Sequence, residues 1–261
     1  MSVKKSLTFL GTGGSVGVPL LGCNCHVCVS RSPFNQRLRT SALLEIGSRR
    51  FLIDVGPDFR QQALRENLTT FDGLLLTHAH YDHTAGLDDL RPIHFNRHAP
   101  LPILLSPETE KDITNRFHYL FYKEQAKESF SNKFELVYLP STSGEIFFEG
   151  VLIRYISYEQ GGMVVNGYRI GDFAYLTDIK HYSEDIFSHL EGVKTLVISA
   201  LRMTPSYLHL CVDEAIDFVH RLKSPKAWLT HLSHELDYEQ TNAYLPPYIR
   251  LAYDGLKIDF E

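Results

Sequence analysis

The run Leu74-Leu75-Leu76-Thr77 leads directly into His78-Ala79-His80-Tyr81-Asp82-His83. Three imidazoles and one carboxylate crowd those six residues, poor material for a strand or a helix, at the end of a run apolar enough to be buried. A chain that buries this segment must supply partners for its polar atoms. Imidazole and carboxylate together suit Zn2+ and similar divalent ions. At a period of two, His78 and His80 point one way, while Asp82 and His83 turn into a following helix. That spacing accommodates a pair of ions about 3.5–4 Å apart, able to activate water and hold both oxygens of a displacement.

Two further segments repeat the form of apolar strand, threonine and potential ligand: Ala174-Tyr175-Leu176-Thr177-Asp178 and Ala227-Trp228-Leu229-Thr230-His231. Three strand ends delivering His78, Asp178 and His231 can converge at one sheet edge, where α/β proteins place their sites. Other short apolar runs also predict strands: Ser6–Leu10, Ala42–Ile46, Arg50–Asp54, Ile103–Ser106, Glu135–Leu139, Val151–Ile156, Tyr168–Ile170 and Thr195–Ser199. Early strands come in hairpin-like pairs, and later ones alternate with helical patterns at Asp58–Asn67, Glu108–Ser129, Ser183–Leu190 and Val212–Leu222. That order predicts a layered α/β sandwich, two packed sheets with helices outside, in one domain across residues 1–261. At 44% apolar and 22% charged, the chain is neither disordered nor fibrous in composition. Its net charge of −5 counts against a nucleic-acid binder, which needs a basic face to displace counterions.

Residues Ser6 to Ser30 carry no charge and follow Lys4-Lys5, as an export signal would, and Leu20-Leu21-Gly22-Cys23 is spaced like a lipoprotein box. Gly11, Gly13, Gly14, Gly17, Gly22 and Pro19 break any continuous apolar helix there, so the stretch neither spans a bilayer nor directs export, and the expected location is the cytoplasm. In that reducing compartment Cys23-x-Cys25-x-x-Cys28 reads as a metal clamp rather than a disulfide. A closed tetrahedral zinc needs a fourth ligand, and His26, inside the cysteine loop, is too cramped to serve easily. Cys211 stands alone and reads as a packed helix residue.

His-x-His-x-Asp-His after an apolar strand resembles the metallo-β-lactamase superfamily of metal-dependent hydrolases. Phe9-Leu10-Gly11-Thr12-Gly13-Gly14-Ser15, Gly17-Val18-Pro19 and the cysteine cluster are similar to the branch containing the phosphodiesterase that acts on 5-phosphoribosyl 1,2-cyclic phosphate. The likeness runs from about Phe9 to Asp254, with Leu52-Ile53-Asp54-Val55-Gly56 and Thr230-His231-Leu232-Ser233-His234 as further anchors. It implies an αββα sandwich in which His78 and His80 hold one metal and Asp82 and His83 a second. Asp178 would bridge the two and His231 complete the second site. Asp54 matches the superfamily's first Asp, which orients the ligand loop, and His209 matches the branch's candidate general acid. His234 would close a structural zinc with Cys23, Cys25 and Cys28, pinning residues 23–28 to 234. The implied activity is hydrolysis of a small phosphorylated or cyclic phosphodiester, with one or two Zn2+ or Mn2+ ions at the active site, in a homodimer.

The chain departs from that pattern at one place. The superfamily adds a further His to the first metal after the strand corresponding to Val151–Ile156. Here the stretch reads Ser157-Tyr158-Glu159-Gln160-Gly161-Gly162, with no His between His118 and His181. Gln160 stands where that His is expected, and its amide is a weaker ligand than imidazole, whereas the neighbouring Glu159 would serve. The first site is therefore weakened, rebuilt with Glu159, or empty, and the second is the more dependable. The departure leaves open a non-hydrolytic accessory protein resembling the pyrroloquinoline quinone pathway's B protein. A nuclease resembling the tRNA 3′-end endonucleases is opposed by the acidic balance. Gly11-x-Gly13-x-x-x-Gly17 misses the dinucleotide fingerprint. The Phe117–Tyr122 aromatics read as helix packing, and Arg91 and Arg202 equally as phosphate contacts or salt-bridge partners.

Overall fold

The computed structural model describes residues 4–95, 99–121, 134–223 and 226–261. Among them, fourteen strands form two seven-stranded sheets. The first sheet takes β1 (Lys5–Gly11), β2 (Ser41–Ile46), β3 (Arg49–Ile53), β4 (Gly73–Leu75), β5 (Leu101–Leu105) and β6 (Phe134–Tyr138), with β14 (Lys257–Phe260) returning to pair with β1. The second runs β7 (Ser143–Phe148), β8 (Val151–Gln160), β9 (Met163–Ile170), β10 (Phe173–Leu176), β11 (Thr195–Ser199), β12 (Lys226–Thr230) and β13 (Ile249–Leu251). In each sheet the early pairs are antiparallel, and four strands are parallel, β3 to β6 and β10 to β13.

Strand alternation sorts the side chains into layers. Phe9, Leu44, Phe51, Ile53 and Leu75 of the first sheet meet Ile153, Tyr168, Phe173, Tyr175 and Val197 of the second in the central core. Their neighbours Leu10, Leu43, Leu52 and Leu74 face outward, with Phe59 and Leu87 packed over them. On the other side Leu176, Leu196 and Ile198 lie under Val212, Ala215, Phe218 and Val219 of the helix Val212–Arg221. The result is the expected αββα sandwich. The uncharged stretch from Ser6 is a buried strand followed by loops, and among the described residues no helix is long and apolar enough to cross a membrane.

Every predicted strand is present. Three more exist, β7, β13 and β14, and β8 runs four residues past Ile156 to Gln160. The predicted helix Glu108–Ser129 is broken into Pro107–Arg116 and His118–Phe121; its remainder, with Tyr122 and His98, lies outside the described residues. A further helix, Tyr238–Tyr244, is capped by Asp237 and has no counterpart among the predicted elements.

The loops over the C-terminal ends of the parallel strands are fixed from beneath. Arg37, 2% exposed, donates to Ser233 O at 2.8 Å, Leu236 O at 2.6 Å and Asn35 Oδ1 at 3.3 Å. Gly11 and Gly13 permit the close approach, since a Cβ on them would lie 2.1 Å from Arg39 O and 2.9 Å from Arg37 O. Arg37→Met would leave those buried carbonyls without donors. It is expected to cost about 3 kcal/mol in urea unfolding; a cost under about 1 kcal/mol would mean water replaces the guanidinium.

Candidate functional site

Four strand ends deliver the cluster. Asp54 follows β3, Thr77-His78 follow β4, Thr177-Asp178 follow β10, and His231 follows β12. Asp54, Asp178 and His231 have φ of 58°, 54° and 58°, in the left-handed region, which turns the chain sharply as it leaves each strand. Such backbone costs on the order of 1–3 kcal/mol per residue and persists where its surroundings over-determine it. Gly56 makes room for the ligand helix Tyr81–Thr84, because a Cβ there would lie 2.1 Å from Asp82 O.

Asp54 is fully buried and orients the rest. Its Oδ1 accepts from Thr77 N at 2.8 Å, and its Oδ2 accepts from Thr77 Oγ1 at 2.8 Å and His83 Nδ1 at 2.7 Å. With the Thr77 hydroxyl proton committed to Asp54, Thr77 Oγ1 accepts from His78 Nδ1 at 2.9 Å. Both rings therefore turn Nε2 to the cluster. His78 Nε2 approaches His80 Nδ1 at 2.9 Å. His83 Nε2 lies 3.4 Å from Asp82 Oδ2 and 3.3 Å from Asp178 Oδ2. His231 Nε2 lies 3.4 Å from Asp82 Oδ2 and 3.3 Å from Asp178 Oδ1, and a Cβ on Gly14 would lie 3.3 Å from its Nδ1. His209 Nδ1 is 3.5 Å from Asp178 Oδ1, with its ring stacked on His231.

The donor set fits divalent ions. His83 Nε2 is buried between two carboxylates yet has no hydrogen-bond partner among the described residues, as expected of a nitrogen shaped for a cation. Burial opposes charge throughout, but His83 and His231 outweigh it and hold Asp82 below the usual carboxylate range. The same two rings do so for Asp178. The surrounding carboxylates in turn push His83 and His231 up against their own burial. Three sets of donor atoms each lie within 4.8 Å of one another: His78, His83 and Asp178; Asp82, His83 and His231; Asp178, His209 and His231. His80 belongs to none of them. Burial, then the neighbouring His231, pulls His209 down to about 4; an anion arriving beside it favours the protonated form.

Gln160 is buried beside His209, with its Nε2 3.1 Å from His209 Nε2. Of the three alternatives for the first site, the strand register speaks against rebuilding with Glu159. Consecutive residues of β8 face opposite sides, so Glu159 is exposed, and its Oε1 accepts from Gly162 N at 3.1 Å. Arg91 pairs with Asp88, and Arg202 lies 3.8 Å from Glu235, so both act as salt-bridge partners. Cys211 is buried, as expected, but at the N-cap rather than inside the helix, its N–H donating to Glu214 Oε2. The threonines before the ligands have a role that their sequence pattern does not disclose. Thr77 joins Asp54 to His78, and Thr177 Oγ1 donates to Asp178 Oδ2 at 2.7 Å. Arg37 carries no sequence signal at all.

Some distance along the chain, Cys23, Cys25, Cys28 and His234 bring their donor atoms within 4.8 Å of one another, a set that suits tetrahedral zinc; His26 is not among them. Cys23 Sγ and Cys25 Sγ each lie 3.4 Å from His234 Nδ1. The Cys28 backbone N–H, and then His234, lower the Cys25 thiol to about 6, whereas burial raises Cys28 to about 11.

Fold and site together define an αββα sandwich with a buried His/Asp cluster at its strand ends, and the profile of the beta-lactamase superfamily domain matches residues 49–232; the chain belongs to that superfamily. It is similar to a crystal structure of a new diphosphatase from the PhnP family, with TM-score 0.91 and 36% identity over 100% of this chain and 98% of that one. It is 36% identical over 253 residues to a Porphyromonas gingivalis protein named octanoyltransferase, covering 95% of this chain but 50% of that protein. The chain thus spans about half the length of that curated relative. Zinc-bound PqqB from Methylobacterium extorquens shares the fold at TM-score 0.75 and 18% identity, covering 98% and 100% of the two chains.

Because Asp54 sets the direction of His83, Asp54→Asn is expected to weaken divalent-ion affinity 10–100-fold in competition with a chelator. Undiminished affinity would show that His83 is held by other contacts.

Proposed function

We propose that this protein hydrolyses a phosphodiester-type linkage, P–O–C or P–O–P, in a small phosphorylated substrate. The observation that carries this reading is His209. Its Nδ1 is buried, has no hydrogen-bond partner among the described residues, and faces Asp178 in the middle of the ligand cluster. A proton donor so placed serves a departing oxygen. The full-length likeness to the PhnP-family diphosphatase supports phosphorus as the atom attacked.

His78, His80, Asp82, His83, Asp178 and His231 would hold the metal, while Gln160, the residue in place of the expected further His, contacts His209. Divalent ions there supply Lewis-acid polarisation of a phosphoryl oxygen and lower the pKa of water. Asp82 and Asp178, kept ionised, accept hydrogen bonds from the attacking water and aim its oxygen at phosphorus. Water adds to phosphorus as the opposite P–O bond breaks; its proton leaves to solvent past the Asp82 and Asp178 carboxylates, the leaving oxygen takes the Nδ1 proton of His209, and His209 regains a proton from solvent. Cys23, Cys25, Cys28 and His234 would hold a separate structural zinc, which ties the N-terminal loop to the segment after β12. The cysteine cluster, read as a zinc clamp, and the acidic balance favour a cytoplasmic protein with a small-molecule substrate.

Mass spectrometry should find one ion fewer per chain after Cys23→Ser with Cys25→Ser. An unchanged count would remove the cysteine site. On a ribose cyclic phosphodiester, His209→Ala is expected to lose 10²–10⁴-fold in turnover while keeping its ions. Metal-loaded wild type that cleaves no phosphodiester or diphosphate would transfer the reading to a non-hydrolytic accessory protein.

A further inference from the structure

We propose that Gln160 is a positioning residue that sets the tautomer of His209, a role that rests on reading His209 as the proton donor. A neutral imidazole carries one ring proton, and which nitrogen bears it is decided by the partner of the other. Gln160 Nε2 donates to His209 Nε2 across 3.1 Å, so His209 Nε2 is the acceptor and the ring proton resides on Nδ1. Nδ1 is the nitrogen that faces Asp178 Oδ1 and lacks a hydrogen-bond partner among the described residues. The neutral ring thus holds its proton on the side where a leaving group would stand; the second proton, which makes the ring an acid, enters at Nε2, where the amide turns Oε1 to accept it.

The surroundings favour this role over ligation. Gln160 is the last residue of β8, and the turn after it uses two glycines in the left-handed region, Gly161 at φ 56° and Gly162 at φ 83°. A Cβ on Gly161 would lie 2.8 Å from Leu208 Cδ2, so the turn admits the His209 loop into contact. Within that loop Ser206 Oγ accepts from His209 N at 3.1 Å and donates to His209 O at 2.8 Å. Backbone clamp, turn and amide thus fix His209 from separate directions.

The test is the leaving group. A p-nitrophenolate departs without a proton, whereas the alkoxide of a ribose cyclic phosphodiester needs one. Gln160→Met keeps length and volume but removes both polar atoms of the amide. We expect its turnover to fall at least tenfold more on the cyclic diester than on bis(p-nitrophenyl) phosphate, with the ion count of wild type. In 15N-histidine spectra, the resonance identified by its loss in His209→Ala should leave the Nδ1–H pattern in Gln160→Met. Gly161→Ala, which displaces Leu208, should reproduce the leaving-group discrimination with Gln160 intact. Equal losses on both substrates, or an ion lost with Gln160, would overturn the proposal. A discrimination in His209→Ala that Gln160→Met lacks would sink only the role of Gln160. Its absence from His209→Ala would sink the proton donor itself.

Discussion

Asp54, Asp82 and Asp178 all lie within 3.4 Å of a nitrogen of one imidazole, that of His83, and all are buried. Withdrawing a carboxylate from water costs several kcal/mol even after relaxation. Three of them can share one interior only if positive charge is delivered among them. The remainder of the molecule can be understood as the apparatus for doing so. Parallel strands end in register, Asp54, Asp178 and His231 beyond three of them take left-handed turns, and glycines at 14 and 56 let backbone close on the ligands. Ties from the second sheet brace the first: Tyr168 Oη donates to Leu76 O at 2.6 Å, and Asn166 Nδ2 donates to Thr77 O at 3.0 Å.

A common device runs through the imidazoles. His83 is anchored at Nδ1 by Asp54, His78 at Nδ1 by Thr77, and His209 at Nε2 by Gln160; each turns its other nitrogen to the cluster. Anchoring one nitrogen settles both ring orientation and proton location before any ligand arrives. His231 is handled differently: Gly14 packs against the ring, and its buried Nδ1 has no partner among the described residues.

The sandwich and the ligand cluster are legible in the sequence because both depend on local patterns: short apolar runs ending in threonine and then a ligand. What escapes is either weakly patterned or non-local. β7 and β14 are partly exposed, so their burial does not impose a clean apolar alternation, and β13 is three residues long. Arg37 resembles any loop arginine until residues nearly 200 positions away supply its acceptors. Glu159 and Gln160 are indistinguishable as substitutes until the register of β8 with β9 sends them to opposite faces. The same pairing extends the strand beyond its apolar portion.

β1 opens at Lys5, and its two neighbours β2 and β14 open 36 and 252 positions later, at Ser41 and Lys257. During translation the β2 side can pair almost at once, but the other edge waits for the last strand. At ribosomal speeds of roughly 5–20 residues per second, that delay is on the order of tens of seconds. Through it the nascent chain carries an open edge beside an apolar strand, the kind of surface that recruits wrong partners. The cysteine loop waits nearly as long for His234. Quality of production in a cell should therefore depend on how well the first half of the chain is shielded before the second emerges, a vulnerability that the finished sandwich conceals.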